Sequence, residues 1–126
     1  MIEEYLRAID NAITAVGRIV RSSNIYKDER EAEIIFLRGE IRFTDDSHLH
    51  FREFVQLIQG QPPHRYKYAY HYQRADETIF FRYDNARHYP DLPTAPHHKH
   101  IGEEDVIASS PPDLHFVLKE IEALIG

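Results

Sequence analysis

The sequence predicts an α+β fold: one domain in which an antiparallel β-meander of about five strands is flanked by an N-terminal and a C-terminal helix. Three observations predict it. Apolar stripes at helical spacing stand at both ends of the chain. β-forming residues with period-two alternation fill residues 31–84 between them. The length of 126 residues leaves room for one domain, taken here as 1–126.

Ile2, Tyr5, Leu6, Ile9 and Ile13 recur every three or four positions, so residues 2–13 read as an amphipathic helix with Gly17 just beyond it. Residues 17–28 read as a first, irregular strand. Ile34, Ile35, Phe36, Leu37, Ile41 and Phe43 mark strand material over 31–43, where Gly39 is expected to make a bulge or bend. Thr44-Asp45-Asp46-Ser47 is a turn. Leu49, Phe51 and Val55 then alternate with His48, His50 and Arg52, as on a strand with one wet face. Glu53 interrupts that apolar stripe; it is either a buried acid paired with an arginine or the strand's exposed end. Gly60-Gln61-Pro62-Pro63 breaks the chain, and residues 64–74 and 78–84 form two further strands around Ala75-Asp76-Glu77. From Asn85 to Ser110 the pattern stops, and Pro90, Pro93 and Pro96 predict a long loop. Ser110-Pro111-Pro112-Asp113 reads as a helix start capped by Ser110. The helix it opens carries the stripe Leu114, Val117, Leu118, Ile121 and Ile125.

Composition excludes several classes of function. With no Cys there are no disulfides, thiolate metal sites or cysteine nucleophiles. No apolar run approaches the roughly 18 residues of a membrane span. The acidic start Met1-Ile2-Glu3-Glu4 is unlike a signal peptide, so the expectation is a cytoplasmic protein without membrane contact. GxGxxG, P-loop and HExxH patterns are all missing, and Ser109-Ser110 has no nucleophile context beyond the helix cap. Net charge is −6, but unevenly spread. Residues 1–63 carry 8 Lys/Arg against 11 Asp/Glu, residues 64–100 carry 6 against 4, and residues 101–126 carry 1 against 6. The middle block is the one segment a polyanion would not repel, and it holds His64, His71, His88, His97, His98 and His100.

The chemistry-bearing residues converge on the last two strands and the segment after them. If the turn centres on residues 75 and 76, Tyr72 faces Ile79, Tyr70 faces Phe81 and Tyr68 faces Tyr83. One face is then aromatic, serving as core or as a base-stacking platform. The other carries Lys67, Ala69, His71, Gln73, Phe80, Arg82 and Asp84. This polar face runs into Arg82-Tyr83-Asp84-Asn85-Ala86-Arg87-His88 and then Pro96-His97-His98-Lys99-His100. Three readings stay open for the histidines. His98 and His100, two apart, would point the same way on an extended backbone, and His88, His97 or Asp84 could complete a metal site. Imidazoles titrating near neutrality could instead serve as acid and base. The third reading is a solvated polar loop. His48 and His50 read as exposed strand polars.

The strings Tyr68-Ala69-Tyr70-His71-Tyr72, Phe81-Arg82-Tyr83-Asp84-Asn85-Ala86-x-His88 and Pro96-His97-His98-Lys99-His100 together resemble the TumE family, toxins of type II toxin–antitoxin systems. Members often read Asn-Ala-Pro-His-His where this chain has Asn85-Ala86-Arg87-His88-Tyr89, which removes one histidine. The resemblance implies a toxin paired with a cognate antitoxin protein. Combined with the residue reading, it leads to an expected small ribonuclease that needs no metal or other cofactor. His88, His97, His98 and His100 would carry protons and Asp84 would orient one of them. Lys99, Arg82, His71 and Lys67 would hold the phosphate. The rival readings are a non-catalytic partner-binding module and a metal-dependent hydrolase using the same histidines. RNA is the expected target, and a homodimer is left open. Residues 85–100 are expected to be ordered and folded back over the hairpin.

Overall fold

The computed structural model describes residues 1–31 and 33–126. In chain order the elements are α1 (Ile2–Ala15), a short 3₁₀ turn (Gly17–Ile19), and the strands β1 (Val20–Glu29), β2 (Ile34–Phe43), β3 (His48–Gln56), β4 (His64–Gln73), β5 (Ile79–Asp84), β6 (His98–Ile101) and β7 (Asp105–Ala108), then α2 (Leu114–Ile125). Among the described residues there are seven strands rather than about five, in one sheet of order β1 to β7 with every neighbour antiparallel. The two additional strands, β6 and β7, lie inside the stretch expected to be loop. Each has only four residues, too few for an alternation to mark it. They form because the free edge of β5 offers unpaired backbone groups, which a short segment satisfies by hydrogen bonding.

Both helices cover one face of this sheet. Alternation along β2 buries Ile35, Leu37, Ile41 and Phe43, and along β3 it buries Leu49, Phe51 and Val55. Tyr68, Tyr70, Tyr72, Phe81 and Tyr83 continue that layer, against Ile9, Ile13 and Val16 from the N-terminal side and Leu114, Val117, Leu118 and Ile121 of α2. The aromatic face of the hairpin is therefore core. Glu53 belongs to the same face, almost fully buried, and accepts hydrogen bonds from the Tyr5 and Tyr70 hydroxyls. Arg65 donates to the Tyr70 oxygen at 2.7 Å, so arginine reaches the acid through a tyrosine.

Three local expectations change. Gly39 makes no bulge: it sits in unbroken register opposite Ile25 and Phe51. A Cβ there would lie 2.1 Å from a Phe51 ring carbon, so the glycine gives that ring its space. The cap of α2 is Asp113, whose carboxylate accepts from the Phe116 N–H at 2.9 Å, and not Ser110. The β4–β5 register also differs. Tyr72 faces Phe81 and Tyr70 faces Tyr83, with an irregularity at Tyr72/Gln73. The turn is wider than assumed: Arg74 donates its N–H to the Thr78 carbonyl, and Glu77 adopts a φ of 70°. The two-residue shift keeps side-chain parity from Phe81 to Asp84, so those residues keep their expected faces. At the irregularity, by contrast, Ile79 pairs with Gln73, and Phe80 leaves the polar face to pack against the core beside Tyr72. What changes is who stands beside whom.

Candidate active site on the uncovered sheet face

The face away from the helices carries two adjacent rows of polar side chains, set by strand register. One row reads Arg38, Arg52, Ala69, Asp84 and His98; the next reads Glu40, His50, His71, Arg82 and His100. The corrected register is what places His71 opposite Arg82. Side-chain parity then sends His98 and His100 to the same face, as their spacing predicts.

Asp84 is the centre of this arrangement. Its Oδ1 accepts from the Ala86 N–H at 3.0 Å and lies 2.9 Å from His98 Nε2. Its Oδ2 accepts from Arg82 Nε at 2.9 Å and lies 3.6 Å from His100 Nε2. Burial alone would push the carboxyl up, but these donors outweigh it and hold the group below the ordinary aspartate value. His98 is fully buried, its Nδ1 facing the Pro96 carbonyl at 2.9 Å. Both of its ring nitrogens therefore face oxygen acceptors. Tyr89 packs on His98 and His100, with ring centroids 4.8 and 5.8 Å away. The loop after β5 thus folds back over the sheet, as expected.

On the other side of Arg82, a guanidinium nitrogen lies 3.3 Å from His71 Nδ1. Burial, then the Arg82 charge, lower the proton affinity of His71. Burial lowers that of His100 as well, against the pull of Asp84. Arg82 consequently stands between two imidazoles that favour the neutral form near pH 7.

Other expected site residues lie elsewhere. Lys99 points to the helix side, where it pairs with Glu120 of α2 at 2.7 Å and lies over the Phe81 and Tyr83 rings. His97 stacks on Tyr68 and meets its hydroxyl at 2.9 Å, away from Asp84. His88 is exposed beside Tyr89. Lys67 is on the uncovered face, next to Phe54 and one row from Arg52. His98 is a buried strand residue and not part of a solvated polar loop. Sequence reading missed Arg38, Arg52 and His50. Their only local signal is a polar position on an alternating strand, which every half-wet strand shows.

A family model described as toxin TumE matches residues 7–125. The chain belongs to the TumE family. The match covers α1 from residue 7 onward, the whole sheet with the Asp84 centre, and α2, and membership carries a toxin role and, in general, an antitoxin partner. No curated protein and no solved structure gives a significant match. Among the described residues of this TumE-family chain, no helix is long and apolar enough to cross a membrane.

Proposed function

We propose that this TumE-family toxin cleaves RNA on the uncovered sheet face without a metal. The observation that carries this reading is the row His71, Arg82, His100 across three neighbouring strands. Strand spacing sets the backbones of His71 and His100 roughly 10 Å apart, with Arg82 between them. That spacing fits a phosphodiester seated on Arg82, its attacking and leaving oxygens on opposite sides. His71, with its proton affinity reduced by burial and by Arg82, takes the proton of the 2′-hydroxyl. The 2′-oxygen bonds to phosphorus and the bond to the 5′-oxygen breaks, giving a 2′,3′-cyclic phosphate. His100, which the Asp84 carboxylate draws toward the protonated form against the effect of burial, donates its proton in that form to the departing 5′-oxygen. Arg82 offsets charge on the phosphoryl oxygens. Asp84 and His98 position this set, and a cognate antitoxin would silence it. His88, His97 and Lys99 have no part in the step.

A second reading has an observation of its own. Asp84, His98 and His100 each offer a ligand atom, all within 4.8 Å of one another. The Pro96 carbonyl on His98 Nδ1 resembles the outer-shell partner that fixes a metal-binding histidine. The first reading expects cleavage in chelator, cyclic phosphate ends, and no cleavage at a 2′-deoxy position. Activity lost with chelator and restored by manganese or zinc would transfer the site to the metal reading. Intact RNA with a tightly bound antitoxin would leave a partner-binding module.

A further inference from the structure

Arg38 and Arg52 are direct cross-strand partners on β2 and β3, on the uncovered face. Like charges directly opposite in a sheet destabilise it. Neither guanidinium has an acidic partner among the described residues; Arg38 lies over the Tyr26 ring at 4.8 Å. Next in the row stands Ala69, whose small side chain leaves a hollow of about 240 Å³ lined by Arg38, Arg52, His50, His71, Arg82 and Glu40. Of the acids nearby, Asp84 is held by Arg82 and His98, while Glu40, on the rim of the hollow, lies 3.7 Å from His50 Nδ1 and forms no ion pair with either arginine. Lys67 adds another cation on the same face of β4. In a chain of net charge −6, this is an exposed cationic pair beside an open hollow, where a bound anion would relieve the mutual repulsion.

We propose that Arg38 and Arg52, with Lys67 beside them, bind the phosphodiester backbone of a single RNA strand running across the sheet toward Arg82 and His100. This rests on reading the same face as the site of RNA cleavage, and it names the surface that holds the strand. From β2 to β6 the sheet spans roughly 19 Å, enough for phosphates on either side of the one being cleaved. Phe36 and Phe54, stacked at 4.5 Å, and the exposed Tyr66 continue the face beyond Arg52 with aromatic surface suited to unpaired bases. Glu120 and Glu122 stand on α2, behind the sheet, so their repulsion does not meet the strand.

The test measures binding of a 2′-O-methyl single-stranded oligonucleotide of about ten residues over a salt series, with wild-type protein and R38Q/R52Q. The substituted sugar prevents cleavage. The double variant should lose about tenfold or more in affinity, and its log–log salt slope should fall by about 0.7 for each phosphate no longer neutralised. Its melting temperature should hold or rise, since an opposed charge pair is gone. Equal affinity and slope in both proteins would overturn the proposal, as would no wild-type binding at low salt. So would a drop in binding matched by an equal drop in folded protein. Weakened antitoxin binding with oligonucleotide binding intact would also overturn it, giving the arginines to the protein partner. The two readings fail separately. Wild-type protein that holds the oligonucleotide but leaves unmodified RNA intact removes cleavage and keeps the binding surface. Cleavage with an unchanged KM in R38Q/R52Q does the reverse.

Discussion

At the scale of single residues, Asp84 converts a cluster of side chains into an ordered site. Four neighbours converge on its two oxygens: a backbone N–H, an arginine and two histidines. Unlike the buried His98, neither the proposed base His71 nor the proposed acid His100 is fully buried. Replacing either by alanine should lower the cleavage rate on the order of 10²–10⁴-fold while moving stability by no more than about 1 kcal/mol. Single-turnover RNA cleavage and urea unfolding on the same samples check this. Rates that fall only with folded fraction would defeat it. The histidines also set a pH dependence. Burial lowers the proton affinity of His50, His71, His97 and His100 in the folded state. The unfolded chain then binds more protons below its ordinary histidine value of about 6.5, so stability falls as pH drops through that value toward the folded ones. Melting temperature should decline from pH 7 to pH 5, and H71Q or H100Q should flatten the decline. The depressed Asp84 acts lower on the scale: its stabilisation is present above the unfolded value of about 3.9 and is lost as pH falls below it.

At the scale of elements, two local contacts decide how strands and helices are held. α2 begins where Asp113 caps it. Asp113→Ala should cost about 0.5–2 kcal/mol, and Ser110→Ala should stay within about 0.5 kcal/mol. Thermal denaturation of the pair settles which residue is the cap; equal losses would contradict the geometry. In β2, Gly39 lets the Phe51 ring cross its strand. Gly39→Ala should therefore cost about 1–3 kcal/mol through overpacking. F51L should recover part of that cost in the double variant, because the ring is the obstacle. A double-mutant cycle showing simple additivity would rule out this contact as the reason for glycine.

For the whole molecule, the link between α1 and the sheet runs through a buried acid. Tyr5 on α1 and Tyr70 on β4 both donate to Glu53 on β3. Burial and then the Glu53 charge push both phenols well above their ordinary value, so they remain donors throughout the working pH range. Removing one donor leaves a buried carboxylate undersatisfied. Tyr5→Phe should lower stability by about 1.5–3 kcal/mol, measured by urea unfolding. A change below about 0.5 kcal/mol would mean that water replaces the hydroxyl.

The sequence alone determined what depends on neighbours along the chain. Helical stripes place α1 and α2, turn residues place the breaks at 44–47 and 60–63, and alternation places the faces of β2 and β3. Those signals are legible because the 3.6 and 2.0 periods are written into consecutive residues. The cluster from Arg82 to His100 was legible as well, because its polar residues lie close together in the chain. Tertiary structure alone decided which of them meet. Lys99 lies between two histidines in sequence, yet parity sends it to Glu120 behind the sheet while His98 and His100 face Asp84. The β4–β5 register put His71 against Arg82, and the free edge of β5 drew β6 and β7 out of an apparent loop. Arg38 and Arg52 carry no mark in sequence, since only the pairing of β2 with β3 opposes them. Strand pairing sums backbone hydrogen bonds and cross-strand contacts over residues far apart in the chain. Its outcome therefore belongs to the assembled sheet and to no single segment of it.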